Sequence, residues 1–274
     1  MTRRSAFNVA LVLSLCLTLA FFLLPIAAIF LRVTPGELLS QLGSGVVVDA
    51  LVVTAKTSLI AQSIIFLVGT PAAYLVARRR FRGRAVVLTL IELPLVLPPA
   101  VAGIGLLAAF GRLGLLGGSL DFLGISVGFT QTAVVMAILL VAGPFYVRGA
   151  VGAFEALDQN LLDASRTLGA GPARTFARVA VPLAAPGLSA AAALSFARGL
   201  GEFGATLFFA GSLQGVTQTL PLAIYAELDV DFDTALAISA LLIVVSACVL
   251  LLVKLLPLWK RSDSQSTFPV VPSA

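Results

Sequence analysis

The sequence predicts an all-α integral membrane protein with about six transmembrane helices. Of its 274 residues, 59% are hydrophobic and only 11% are charged, whereas about a quarter of the residues in a soluble domain are charged. The apolar residues occur in blocks, several of which exceed the roughly 20 residues that a helix needs to cross a bilayer. Strands of a membrane barrel would instead be about 10 residues long, with alternating polarity.

Six apolar blocks are long enough to be membrane spans. The first follows Arg3 and Arg4, as in a secretory signal, but its apolar run is too long for a signal peptide and no small-residue cleavage site follows. We therefore expect a retained first helix at residues 8–31, one transmembrane domain over residues 1–261, and a disordered polar tail at residues 262–274. The predicted spans are about residues 8–31, 52–77, 86–110, 128–148, 182–210 and 234–256.

Positive charge is concentrated on one side of this topology, while the opposite loops contain Arg32 and Arg112. By the positive-inside rule, both termini are expected in the cytoplasm. The basic run "RRRFRGR" at residues 78–84 is interpreted as a topology signal rather than a nucleic-acid or lipid site. Glu92 and Lys56, near the ends of their spans, are expected to snorkel. The basic residues on the cytoplasmic side are Arg3, Arg4, Arg78, Arg79, Arg80, Arg82, Arg84, Arg148, Arg166, Arg174, Arg178, Lys254, Lys260 and Arg261.

The loop at residues 149–181 carries a helix–turn–helix pattern between two spans. Asp158 suits an N-cap, and Gly169 suits the left-handed position that ends many helices. Pro172 favours the start of a second short helix, which Pro182 is expected to end. Apolar residues recur at spacings of four, three and four on one face of the first helix, at Leu157, Leu161, Ala164 and Leu168.

This apolar stripe fits two environments, the headgroup region of a bilayer or a groove on a partner protein. The stripe is small and Ala-rich and contains no Trp, which favours the partner protein. The chain also contains no G-x-x-x-x-G-K-[ST] run, so it has no P-loop with which to hold ATP. If ATP drives its function, the ATPase is another polypeptide.

The same loop resembles the EAA loop of permease subunits of bacterial ABC importers. That pattern is Glu-Ala-Ala, three residues, Gly, nine residues and Ile-x-Leu-Pro. The chain has Asp163-Ala164-Ser165, then Gly169, then Val179-Ala180-Val181-Pro182 at the same spacing, with Asp in place of Glu. The resemblance implies a coupling helix that sits in a cleft of a cytoplasmic ATPase. The residues it assigns to coupling are Asp163, Ala164, Ser165, Arg166, Leu168, Gly169, Ala170 and Pro182.

Two further stretches are similar to permeases of molybdate ABC importers. They are "LPLVLPPAVAGIGLLAAFGRLGLLGG" at residues 93–118 and "SFARGLGEFGATLFFAG" at residues 195–211, the latter followed by "TQTLPLAIYAEL". The resemblance, over about residues 50–256, implies a homodimer in a bacterial inner membrane, two ATPase subunits that hold ATP and Mg, and a periplasmic oxyanion-binding protein. It implies no cofactor on this chain and no enzymatic activity of its own. Sulfate and tungstate are the alternative oxyanions.

Two spans contain residues that disfavour a regular, lipid-facing helix. Pro98 and Pro99 interrupt the backbone hydrogen bonds of the third span, and such breaks persist only where protein or water covers the freed groups. Arg198 and Glu202 lie in the fifth span, where either charge near mid-membrane costs roughly 2.5–3.5 kcal/mol. They are either pathway residues, with Arg198 or Thr206 contacting an oxyanion, or a structural ion pair between subunits. The candidate pathway residues are Pro98, Arg198, Glu202, Gly204 and Thr206.

Two other classes of protein fit the sequence less well. A secondary transporter driven by protons or sodium needs intramembrane carboxylates and often has internal repeats. Only Glu92 and Glu202 are candidates, and no convincing repeat is present. A membrane-embedded enzyme lacks support because the chain has no His, no plausible metal-ligand cluster and no recognisable nucleophile–base pair.

Overall fold

The computed structural model describes residues 3–41, 43–79 and 81–262, and all regular structure within them is helical. This confirms the predicted fold class. The helices are α1 (Arg3–Arg32), α2 (Pro35–Gln41), α3 (Gly45–Arg78), α4 (Arg84–Val96), α5 (Pro99–Phe110), α6 (Gly117–Phe122), α7 (Gln131–Glu155), α8 (Gln159–Thr167), α9 (Pro172–Thr175), a π turn (Phe176–Ala180), α10 (Val181–Leu200), α11 (Gly204–Ala210), α12 (Leu220–Glu227) and α13 (Phe232–Ser262).

In the described part of the chain, five helical segments are long and apolar enough to cross a membrane: α1, α3, α7, α13 and the run from α9 through α10. Helices α4 and α5 pass the same test together but are bent by 111°. The third span predicted at residues 86–110 is therefore not one continuous helix but a pair of helices, interrupted at the predicted prolines. Leu97 and Pro98 adopt an extended backbone between the two helices, and neither Pro98 nor Pro99 has an N–H to continue the ladder.

The fifth span also differs from the prediction at both ends. Helix α10 ends at Leu200 instead of continuing to residue 210, and α11 begins after a break at residues 201–203. Pro182 does not end a separate helix, because the chain runs without interruption from α9 through the π turn into α10. In the π turn the Val181 N–H donates to the Phe176 carbonyl. This shifts the hydrogen-bond register beside Pro182, which lacks an N–H and lies in the first turn of α10.

The centre of the bundle is α7, which packs against both α3 and α10. Glycines let the α7 and α10 backbones approach closely. A Cβ added at Gly149 would lie 2.6 Å from the Ala191 Cβ, and one at Gly187 would lie 2.5 Å from the Ala153 Cβ. Helix α1 instead contacts α13, and its side chains from residues 7 to 32 are almost all exposed, as suits a helix that faces lipid.

Ion pairs fasten α4 to α7 at the end of the bundle that carries the "RRRFRGR" run. Arg84 pairs with Glu155, and Arg148 pairs with Glu92. Glu92, expected to snorkel, therefore has its carboxylate paired with a neighbouring helix. At the far end of the chain, α13 includes Ser262, the first residue of the predicted disordered tail. Residues 263–274 lie outside the described residues.

Candidate functional site

A short helix and turn follow α7, and we call residues 157–175 the α8 segment. Helix α8 begins as predicted, because the Asp158 Oδ1 accepts a hydrogen bond from the Asn160 N–H at 2.9 Å. It ends as predicted at Gly169, whose φ is +83°. The Gly169 N–H donates to the Arg166 carbonyl at 2.9 Å and the Ala170 N–H to the Ser165 carbonyl at 3.0 Å. This pair of bonds is a Schellman motif.

Three of the four residues of the predicted apolar stripe are exposed, whereas Leu157, the first of them, is half-buried and packs against the core. Leu168 is 88% exposed and Leu161 is 49% exposed, and Ala164 is also exposed. Leu162, which lies off the predicted stripe, is completely buried. Two faces of this helix are therefore apolar, one packed internally and one free.

Contacts on both sides of the turn hold the α8 segment in place. The hydroxyls of Ser165 and Thr175 lie 3.0 Å apart, and Thr175 is fully buried. The rings of Tyr74 in α3 and Phe176 in the π turn have centroids 4.9 Å apart, and Phe154 in α7 packs against both. These aromatic pairs connect the π turn, which directly follows the α8 segment, to α3 and α7.

Arg78, the last residue of α3, binds the α8 segment directly. Its guanidinium donates to the Gln159 Oε1 and to the Leu157 carbonyl, each at 3.1 Å. Sequence reasoning missed this role because Arg78 belongs to a basic run in which a topology signal explains every arginine equally well. The pattern contains no local sign of which arginine has a partner far along the chain.

Asp163, which stands where the EAA pattern has Glu, has its carboxylate engaged within α8. Its Oδ1 accepts from the Arg166 guanidinium at 3.0 Å and from the Gln159 amide at 3.1 Å. Both charged side chains are about half exposed, so this pair contributes little to stability. The interaction orients the carboxylate and the guanidinium on the exposed surface of the helix.

The breaks in the third and fifth spans meet each other, and we call this the α5–α11 contact. A Cβ added at Gly204 would lie 2.8 Å from the Pro99 Cβ, next to Pro98, the N-cap of α5. A Cβ added at Gly103 would lie 2.7 Å from the Ala205 carbonyl oxygen. The candidate pathway residue Gly204 thus lies against Pro99, the residue that follows Pro98.

Arg198 and Glu202 form an ion pair within this one chain, between the last turn of α10 and the break that follows it. The Arg198 Nη1 lies 3.0 Å from the Glu202 Oε2, and the Glu202 side chain is 1% exposed. The Glu202 Oε1 accepts a hydrogen bond from the Ala205 N–H at 2.7 Å, which fixes the start of α11. Thr206, also in α11, is fully buried, and within the described residues its hydroxyl has no hydrogen-bond partner.

A buried polar link in the membrane bundle was also missed by sequence reasoning. Gln62 in α3 donates to the Ser195 hydroxyl at 3.4 Å, and Ser195 in α10 donates to the Ala142 carbonyl of α7 at 2.9 Å. This chain of hydrogen bonds joins the three central helices. Neutral polar residues in an apolar block lower its hydropathy only slightly, so they leave little signal in the sequence.

Comparison with known proteins identifies the family. The model of the family described as "Binding-protein-dependent transport system inner membrane component" matches residues 69–261. The chain belongs to this family. The match includes the whole α8 segment and the α5–α11 contact, and excludes α1. As a member of the family the chain is a multi-pass transport subunit of an ABC importer, and not an enzyme.

Relatives within the family cover most of the chain. The "Molybdenum transport system permease protein ModB" of Mycobacterium tuberculosis is 44% identical over 233 residues, which is 85% of this chain and 88% of that protein. The "Probable molybdenum ABC transporter permease protein" of Haloferax volcanii is 39% identical over 242 residues, 86% and 85% of the two chains. The fold is also similar to that of a chain in the crystal structure of a bacterial alginate ABC transporter, with a TM-score of 0.75 and 15% sequence identity. The match covers 92% of this chain and 93% of that chain.

Proposed function

We propose that this chain is the membrane permease of an ATP-driven importer of molybdate. The relatives named for molybdenum transport support the choice of oxyanion. The observation that carries the proposed mechanism is the α8 segment: a capped helix, anchored to α3 and α7, with one apolar face free. A chain that has no P-loop needs such a surface to contact an ATPase and follow its conformational change.

The proposed assembly has two copies of this chain, two cytoplasmic ATPase subunits and one periplasmic oxyanion-binding protein. The ATPases hold ATP and Mg, and this chain binds no cofactor. Both termini lie in the cytoplasm of a bacterial cell, and residues 1–261 form one transmembrane domain. Charge bias supports this orientation, because Arg78, Arg84 and the α8 segment share one end of the bundle.

In this mechanism, ATP binding draws the two α8 segments together. Motion of each segment passes to α3 through Arg78 and to α7 through Phe154. Helix α10, which is about 30 Å long at 1.5 Å per residue, carries the motion from the π turn to the α5–α11 contact. We assign the proposed pathway to that contact, with Pro98, Arg198, Glu202, Gly204 and Thr206 as its residues.

The proposal is tested by uptake of radiolabelled molybdate into proteoliposomes containing the permease, its ATPase and its binding protein. Unlabelled molybdate, tungstate and sulfate are added as competitors. We expect ATP-dependent uptake that molybdate and tungstate suppress more strongly than sulfate. Preferred suppression by sulfate would assign the chain to sulfate import, and uptake that persists without the ATPase would support an ion-driven secondary transporter instead.

Arg78→Gln is expected to uncouple the ATPase from transport. The substitution removes two hydrogen bonds between α3 and the α8 segment, each of which contributes roughly 1 kcal/mol or somewhat more when the donor is charged. ATP hydrolysis should continue while molybdate uptake falls several-fold. The matched control is Arg79→Gln, which changes the neighbouring exposed arginine and should leave the ratio of uptake to hydrolysis unchanged. Equal ratios in the two variants would contradict the role given to Arg78.

A further inference from the structure

The Arg198–Glu202 pair has an asymmetric geometry that bears on how an oxyanion is handled. The Glu202 carboxylate is fixed by a hydrogen bond from the Ala205 N–H to its Oε1 at 2.7 Å. Its Oε2 lies 3.0 Å from the Arg198 Nη1 as an ion pair without a hydrogen bond, and the side chain is 1% exposed. Arg198 is held at one end only, and its side chain is 29% exposed. Within the described residues its Nε and Nη2 have no hydrogen-bond acceptor.

We propose that Glu202 is a restraining carboxylate: it fixes Arg198 with its free donors accessible to the tetrahedral oxyanion, and keeps that contact weak. This inference rests on the proposed function, since it concerns how the same cargo is handled. A guanidinium presents five donors in a planar fork that matches an oxyanion. An uncompensated guanidinium in a low-dielectric site would hold a dianion strongly. The buried carboxylate beside it repels the dianion and so favours release.

The substitution Glu202→Gln distinguishes this role from a purely structural one. The amide carbonyl of Gln can still accept the Ala205 N–H, so the cap on α11 is preserved. The negative charge beside Arg198 is lost. If the ion pair only stabilises the fold, removing the charge weakens the bundle without affecting oxyanion binding. If Glu202 restrains Arg198, the oxyanion binds more tightly and leaves more slowly.

The experiment measures equilibrium binding of radiolabelled molybdate to the permease–ATPase complex in nanodiscs, with the binding protein left out. We expect Glu202→Gln to bind molybdate about tenfold more tightly than wild type, within the usual range for coupling between two sites. In proteoliposomes with the binding protein present, the maximal rate of uptake should fall. A structural role would not tighten molybdate binding, so unchanged affinity in Glu202→Gln overturns the proposal.

Two more variants keep the test decisive. The double variant R198Q/E202Q replaces the ion pair by two neutral groups, and we expect neither tight binding nor uptake; recovery of uptake to the wild-type rate would overturn the proposal. Arg198→Lys retains the charge next to Glu202 but lacks the planar fork, and should lower uptake while the complex keeps its wild-type melting temperature.

Wild-type uptake is the reference in every preparation. If wild type takes up none of the three oxyanions, the proposed function fails; if wild type transports and Glu202→Gln binds as wild type does, only this inference fails.

Discussion

Gly103→Ala is expected to disrupt the α5–α11 contact and abolish uptake. The added Cβ would lie 2.7 Å from the Ala205 carbonyl oxygen and 2.9 Å from the Ala205 Cα, closer than real Cβ atoms approach backbone. The two helices must therefore separate, which costs roughly 1–3 kcal/mol in a packed interior. Because the third and fifth spans are both broken beside this contact, separation should displace Glu202 and the start of α11.

The chain offers a matched control on the same helix. A Cβ added at Gly105 has no heavy atom within 4 Å, so Gly105→Ala gives the same change in composition and helix propensity without a clash. We expect Gly105→Ala to transport and melt as wild type does, and Gly103→Ala to melt at a lower temperature and to lose uptake. Equal uptake by the two variants would contradict the close packing on which the proposed pathway depends.

The sequence predicts features that depend on local chemistry. Asp158 and Gly169 are correct as the ends of α8 because a cap is satisfied by residues a few positions away. The apolar blocks locate the crossing helices because length and hydropathy are properties of one segment at a time. The prolines at positions 98 and 99 indicate that a break exists in the third span.

Features that depend on partners distant in sequence are not predictable in the same way. Pro98 and Pro99 locate the break between α4 and α5, but the sequence of residues 86–110 does not specify the 111° angle or that α5 packs on α11, a helix distant in sequence. The π turn that accommodates Pro182 depends on how the hydrogen-bond registers of α9 and α10 join, which neither helix specifies alone. Spacing alone finds an apolar stripe on α8, but Leu162 packs inward because of the π turn and α9 beside it. Arg78 and Gln62 act through residues more than 70 positions away.

Leu168→Glu is expected to abolish binding of the ATPase while leaving the membrane bundle folded. Leu168 is 88% exposed, so a charged side chain there meets water in the isolated chain and costs the fold little. At an interface the same carboxylate would be buried without a partner, which costs far more than the lost apolar contact. The measurements are co-purification of the ATPase, ATP hydrolysis stimulated by the permease, and molybdate uptake, all of which should fall to background.

Comparison with Leu162→Ala distinguishes loss of an interface from loss of folding stability. Leu162 is completely buried within the chain, and removal of a buried leucine side chain costs about 2–5 kcal/mol, so this variant should lower the melting temperature of the bundle. Leu168→Glu should leave the melting temperature unchanged and lose the ATPase.

The same pair of variants decides between the two environments that fit the stripe, a bilayer surface and a partner protein. If the stripe lies on lipid, Leu168→Glu weakens attachment of α8 to the bilayer but retains the ATPase, and the coupling role assigned to residues 163–170 is then wrong.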